Sequence, residues 1–286
     1  MQSVREIIKS SRPVSWVNTA FPFAAGYLFI SGVVDWRLLL GTLYFLVPYN
    51  LLMYGINDVF DYESDLRNPR KGGIEGAVLA KKLHKPIIWA SVLSNAVFVV
   101  PLLFGGDIVA AAVLAAVLFL VVAYSAPVLR FKERPVLDSL TSSAHFVGPL
   151  VYALALVGWP ASAMPLVIAF FLWGMASHAF GAVQDVTADR EAKINSIATV
   201  FGARNTVRFA FALYALAAAI MFSFGPVGYA VAGAGLLYAA NIAPFLHITD
   251  ATCEQANKGW RRFIWLNLFA GFVVTLTLIL VSGRAG

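Results

Sequence analysis

The sequence predicts an all-α membrane bundle of nine transmembrane helices, with the N-terminus in the cytoplasm. Three observations predict it. Of the 286 residues, 60% are apolar and 13% are charged, about half the charged share of a soluble globular domain. The apolar residues gather into charge-free runs of ~18 residues or more, long enough to cross a bilayer. The connections alternate in character: short and almost uncharged after the odd-numbered runs, longer and rich in charge after the even-numbered ones.

In order, the spans fall at 14–34, 36–57, 86–104, 108–124, 136–157, 163–183, 205–224, 226–246 and 262–282. Gly and Pro punctuate many of the ends, at Pro86, Gly105, Gly106, Pro127, Gly158, Pro160, Gly225 and Pro226. The N-terminal tail lacks a short apolar core followed by a small-residue cleavage site, so no removable signal peptide is expected and the first span does the targeting. The single Cys253 rules out an internal disulfide framework and reads as a packing residue. No linker or low-complexity stretch divides the chain, which reads as one domain over 1–286.

Charge sets the orientation. Of the 21 Lys and Arg residues, all but Arg37 and Arg284 fall in the N-terminal tail or the long even-side loops. The positive-inside rule places that face in the cytoplasm of a cell-membrane protein. The net charge of +6 does not signal nucleic-acid binding, because the basic residues sit at membrane boundaries among acids and lipid headgroups. The same face holds all but Asp35 and Asp107 of the 15 acids. Topology alone needs no acids there.

Those acids form two ladders. The first, Asn57, Asp58, Asp61 and Asp65, closes the second span. At ~100° per residue these four share an arc of about 100°, and Tyr54 and Asn50 continue it into the membrane. The second, Asp185 and Asp189, closes the sixth span, with His178 on the same face. Carboxylates stacked this way repel one another. Oxygen donors without Cys or clustered His suit Mg²⁺, which completes its shell with water and phosphate oxygens. The pattern points to two or more ions holding a diphosphate between the second and sixth spans. Arg70, Lys71, Arg130, Lys132, Arg190 and Lys193 lie in the adjoining loops, where Arg can grip phosphate oxygens bidentately and Lys acts as a point charge.

With these residues in hand, the sequence resembles the UbiA superfamily of intramembrane prenyltransferases. Its NDxxDxxxD signature is met by Asn57, Asp58, Asp61 and Asp65, and its DxxxD signature by Asp185 and Asp189. An early Arg12-Pro13 and a Tyr124-Ser125-Ala126-Pro127 stretch running on to Arg130 and Lys132 also match. Longer stretches, such as PYNLLMYGINDVFDYESDLRNPRKGG and SHAFGAVQDVTADREAKINSIATVFG, are similar to the lycopene elongases of C50 carotenoid pathways. That resemblance implies transfer of dimethylallyl units from dimethylallyl diphosphate to the ends of lycopene, giving flavuxanthin-type products, with other carotenoid-pathway enzymes as possible partners.

On this reading Asn57, Asp61, Asp65, Asp185 and Asp189 hold Mg²⁺, and Asp58 ligates or supports the shell. Asp58, Asp61 and Asp185 are the expected catalytic carboxylates. Arg12, Arg70, Lys71, Arg130, Lys132 and Lys193 neutralise the leaving group. Asn50, Tyr54, Tyr124 and His178 line the substrate, the rings facing cationic carbon. The final cation loses a proton or captures water. A rival acceptor is an aromatic or quinone precursor, and a rival of another class is a transporter, since intramembrane acids can mark ion paths. The acids here gather at one mouth, with none in mid-span.

Overall fold

A computed structural model of the chain describes residues 2–66 and 79–282. Among them every regular element is helical, and eight helical stretches are long and apolar enough to cross a membrane. The first expected span is shorter than its sequence suggests: after a 3₁₀ turn at Pro13–Ser15 it runs only Val17–Ser31. The last is longer, starting at Asn257 because Lys258, Arg261 and Arg262 continue the helix beyond its apolar part. Contacts divide the chain into two compact units.

The first unit comprises residues up to Phe131 together with His145–Trp159. It contains α1 (Gln2–Ser10), α2 (Val17–Ser31), α3 (Trp36–Phe60), α4 (His84–Leu103), α5 (Ile108–Ser125) and the second part of α6 (Leu137–Val157). Its core is aromatic: Phe23, Tyr27, Tyr44, Phe45, Tyr49 and Tyr152 are all fully buried. A buried phenol needs a partner, and each has one. Tyr27 donates to Asp35 at 2.8 Å, Tyr44 to Asn95 Oδ1 at 2.9 Å, Tyr49 to His145 O at 2.9 Å and Tyr152 to Leu102 O at 2.7 Å. Gly41 makes room for Phe23, whose Cζ would lie 2.2 Å from any Cβ added there. The two acids that the charge count set apart are N-caps: Asp35 accepts from the N–H groups of Arg37 and Leu38, and Asp107 from that of Ala110.

Helix α3 carries the first ladder and is not regular. Pro48 cannot donate to the helical ladder, and Leu51–Gly55 winds as a π-turn. Both release carbonyls that lipid cannot satisfy. Side chains collect them instead. Asn50 Nδ2 donates to Phe45 O at 2.8 Å and Leu46 O at 3.1 Å. Thr19 donates to Phe45 O at 2.7 Å, Asn95 to Pro48 O at 2.8 Å and Ser91 to Leu51 O at 3.2 Å. The π-turn lies one residue before the ladder helix Ile56–Phe60 and so sets its rotation.

The second unit comprises residues 132–144 and 160 onward. It contains the start of α6, then α7 (Ala163–Val183), α8 (Val186–Glu191), α9 (Ala203–Phe222), α10 (Pro226–Ile242) and α11 (Asn257–Ser282). Small residues let its helices approach closely: a Cβ on Gly174 would meet Ser143 Oγ at 2.3 Å, and one on Gly181 would meet the Trp260 ring at 2.9 Å. Phe180, Tyr214, Tyr238 and Val183 fill its core. Outward-facing Trp265, Phe269, Phe272 and Ile279 on α11 give it the apolar surface a bilayer requires.

Candidate active site

The first ladder is built from the end of α3. Asp61 leaves helical geometry (φ −94°, ψ 1°), though its N–H still reaches Asn57 O at 2.9 Å. The ladder is therefore not one ideal helix: Asp65 comes from a separate short helix, Tyr62–Asp65, and its side chain lies outside the described part. Arg70 and Lys71 also lie outside the described residues.

Each described member of the ladder is gripped by a residue distant in sequence. Asn57 Oδ1 accepts from the Ser125 hydroxyl at 3.0 Å. Asp58 Oδ1 accepts from Arg12 Nη2 at 3.0 Å, with the Asp58 side chain wholly shielded from solvent. The Arg12 guanidinium lies 4.3 Å from the centre of the Tyr54 ring, close enough for a cation–π contact. Arg130 Nη2 stands 3.5 Å from Asp61 Oδ1. Tyr124 meets the His145 ring edge-on at 5.0 Å. Asn50, placed on the ladder face by sequence, is fully buried, and its amide nitrogen is spent on Thr19 Oγ1 and the α3 carbonyls.

The second ladder opens α8. Asp185 is the residue before the helix, and the Asp189 N–H closes back onto Asp185 O at 2.8 Å. His178, seven residues earlier on α7, places Nδ1 3.1 Å from Ser139 Oγ. Beside it the fully buried Asp138 accepts from the N–H groups of Ser139 and Ile197, both at 2.7 Å. Lys193 is exposed just past α8, its N–H on Arg190 O at 3.1 Å. Lys132 is half-buried in the 3₁₀ turn Phe131–Glu133.

Three of the four non-glycine residues with positive φ among those described are basic and belong to these surroundings: Arg12 (50°), Arg130 (39°) and Lys193 (58°). Such backbone costs of order 1–3 kcal/mol and gathers at functional sites. Sequence reasoning missed Ser125, Asp138 and the partners of α8 described below. Of these, only Ser125 carried a signal, inside the Tyr-Ser-x-Pro stretch.

The donor chemistry fits Mg²⁺. Every ladder donor is an oxygen, and among the described residues no three His, Cys, Asp or Glu side chains converge into a metal-holding group. A hard cation that takes one or two carboxylates and fills its shell with water and phosphate oxygens suits such a set, whereas Zn²⁺ does not.

The model of the UbiA prenyltransferase family matches residues 19–280. The chain is 52% identical over 283 residues to a lycopene elongase/hydratase of Corynebacterium glutamicum, covering 98% of this chain and 99% of that one. It is 35% identical to a lycopene elongase/hydratase of Haloferax volcanii, covering 96% and 89%. The solved structure of a UbiA homolog from Archaeoglobus fulgidus bound to DMAPP and Mg²⁺ superposes with a TM-score of 0.70 at 18% identity, covering 93% of this chain and 99% of that one. The chain is a multi-pass membrane protein and belongs to the UbiA prenyltransferase family.

Proposed function

We propose that this chain is a Mg²⁺-dependent lycopene elongase, adding dimethylallyl units from dimethylallyl diphosphate to lycopene to give C45 and C50 carotenoids. The observation that carries the reading is the 52% identity, over nearly the whole of both chains, to a lycopene elongase/hydratase, with both aspartate motifs intact.

In this reading Asn57, Asp61, Asp65, Asp185 and Asp189 hold Mg²⁺. The metal supplies charge stabilisation on the diphosphate oxygens. Arg70, Lys71, Arg130, Lys132 and Lys193 add positive charge around the leaving group. Asp58 supports the site by fixing Arg12 over Tyr54. The allylic C–O bond breaks, its electron pair leaves with diphosphate, and a terminal double bond of lycopene attacks the allylic carbon. The new tertiary cation takes up water and releases a proton, leaving a hydroxyl, in keeping with the hydratase half of the relatives' name. The ladders face the cytoplasm, where the water-soluble diphosphate arrives, while lycopene enters from the bilayer.

Expression in lycopene-producing bacterial cells, followed by pigment analysis, tests this. Longer carotenoids are expected, each addition also placing a hydroxyl on the tertiary carbon of the lycopene end, with loss of product in Asp61→Ala and Asp185→Ala and after chelation of Mg²⁺. Unchanged lycopene with the protein confirmed in the membrane refutes the acceptor. Full activity of either variant refutes the metal role.

A further inference from the structure

The loop ahead of the last helix had no role legible in the sequence. Its 3₁₀ segment Asp250–Ala256 starts at a Thr249/Thr252 capping box and lies against α8. Arg190, directly after the second motif, donates from Nη1 to Asp250 Oδ2 at 2.6 Å. Its Nε and Nη2 both donate to Thr199 O, at 3.1 and 2.8 Å. Asp250 Oδ1 accepts the Ala203 N–H at 2.7 Å, capping α9 from outside its own chain segment. Thr187 Oγ1 lies 3.4 Å from Asp250 O and 3.3 Å from the buried Cys253 Sγ. Just before α8, Gln184 Oε1 accepts from Asn257 Nδ2 at 2.6 Å.

The arrangement has a direction. At ~100° per residue, Thr187 and Arg190 lie within about 60° of each other, and their midpoint is about 150° from the midpoint of Asp185 and Asp189. The loop therefore grips the back of a six-residue helix whose front carries the carboxylates. A helix this short does not hold its own orientation. Arg190, which the sequence offered as a phosphate ligand, has its guanidinium engaged on this rear face.

We propose that residues 249–257 form a clasp that aims the second aspartate pair, with Arg190 and Asp250 as positioning residues. This rests on the reading that Asp185 and Asp189 hold Mg²⁺.

The test uses the full chain in detergent and two readouts against Mg²⁺ concentration: prenyl-transfer rate, and the rise in melting temperature produced by Mg²⁺ with inorganic pyrophosphate. Asp250→Asn keeps an acceptor for the Ala203 N–H but removes the charge facing Arg190. Its Mg²⁺ midpoint is expected to rise about tenfold in both readouts, the scale for losing an outer-shell partner of a metal ligand, with KM for lycopene unchanged. Arg190→Lys, which cannot make all three bonds, is expected to shift the same way. A purely structural clasp lowers the yield of folded protein and leaves the midpoint at the wild-type value; that result overturns the proposal. Should Asp250→Asn not fold, Thr187→Val removes one hydroxyl from the same face, and an unmoved midpoint there counts equally against it. Asp185→Ala separates the two layers. If it keeps the wild-type Mg²⁺ response, the metal reading fails. If it loses that response while Asp250→Asn keeps it, the clasp alone fails.

Discussion

Replacing Arg12 with Met leaves Asp58 as a carboxylate with no solvent exposure and its guanidinium partner gone. Breaking a buried ion pair from one side costs ~3–5 kcal/mol, because the remaining charge keeps its desolvation penalty. Arg12 is itself 21% exposed, so its own desolvation is incomplete and the lower end, about 3 kcal/mol, applies. Met retains most of the packing over Tyr54, which isolates the electrostatic part. At ~2–4 °C per kcal/mol for a large domain, the melting midpoint of Arg12→Met is expected to fall by about 6–12 °C. Asp58→Asn removes the buried charge, so Arg12→Met/Asp58→Asn is expected to melt above Arg12→Met alone. Thermal unfolding followed by helical circular dichroism in detergent, over the full double-mutant cycle, measures the coupling. Effects that add to within about 0.5 kcal/mol would falsify the pair as a buried anchor of the first motif.

Asn95→Leu strips the partners from Pro48 O and the Tyr44 hydroxyl, both buried; at ~1–3 kcal/mol per orphaned group, a loss of about 2–6 kcal/mol is expected in the same melts, more than Ser91→Ala gives. Gly202 sits at φ 79°, ψ 158° with Asp250 Oδ1 3.3 Å from the position of a Cβ, so Gly202→Ala is expected to destabilise by ~1–3 kcal/mol. The Ala203 N–H and the Arg190 guanidinium hold the Asp250 carboxyl below its ordinary 3.8. Its stabilisation is thus complete above that value and lost as pH falls through the lower folded-state value. The gap in melting point between wild type and Asp250→Asn is therefore expected to be widest near neutrality and to close below about pH 4. Arg130→Gly relieves ~1–2 kcal/mol of left-handed backbone strain while deleting the cation beside Asp61; near-unchanged melting with transfer slowed about a hundredfold is expected from paired stability and activity assays.

The spans were legible because a bilayer demands long charge-free runs, and Asp35 and Asp107 stood out for being on the wrong side for a ladder. The interior of α3 was not legible. Pro48 warned of a break, but the donors that repair it, Thr19, Ser91 and Asn95, belong to other helices. The same distance hid the supports of the first motif: Arg12 is 46 residues from Asp58, and Ser125 is 68 from Asn57. A helical projection ranks residues on one helix by angle and is blind to such bonds. It put Asn50 on the ladder face and gave no sign that its amide nitrogen is bonded to Thr19 and to carbonyls within α3.

The two motifs meet one physical problem with different means. Carboxylates placed at a helix end repel each other, so something outside the helix must fix their directions. The first motif uses long-range side-chain bonds and accepts strained backbone at Arg12 and Arg130, where glycine would be relaxed but would bring no cation. The second adds a loop that holds α8 through Thr187 and Arg190. In both, cations that look from the sequence like ligands for a phosphate serve in part to hold the acids. Beside each aspartate motif, a basic residue that the sequence offers to a phosphate is also bonded within the protein, Arg12 to Asp58 and Arg190 to Asp250 and Thr199.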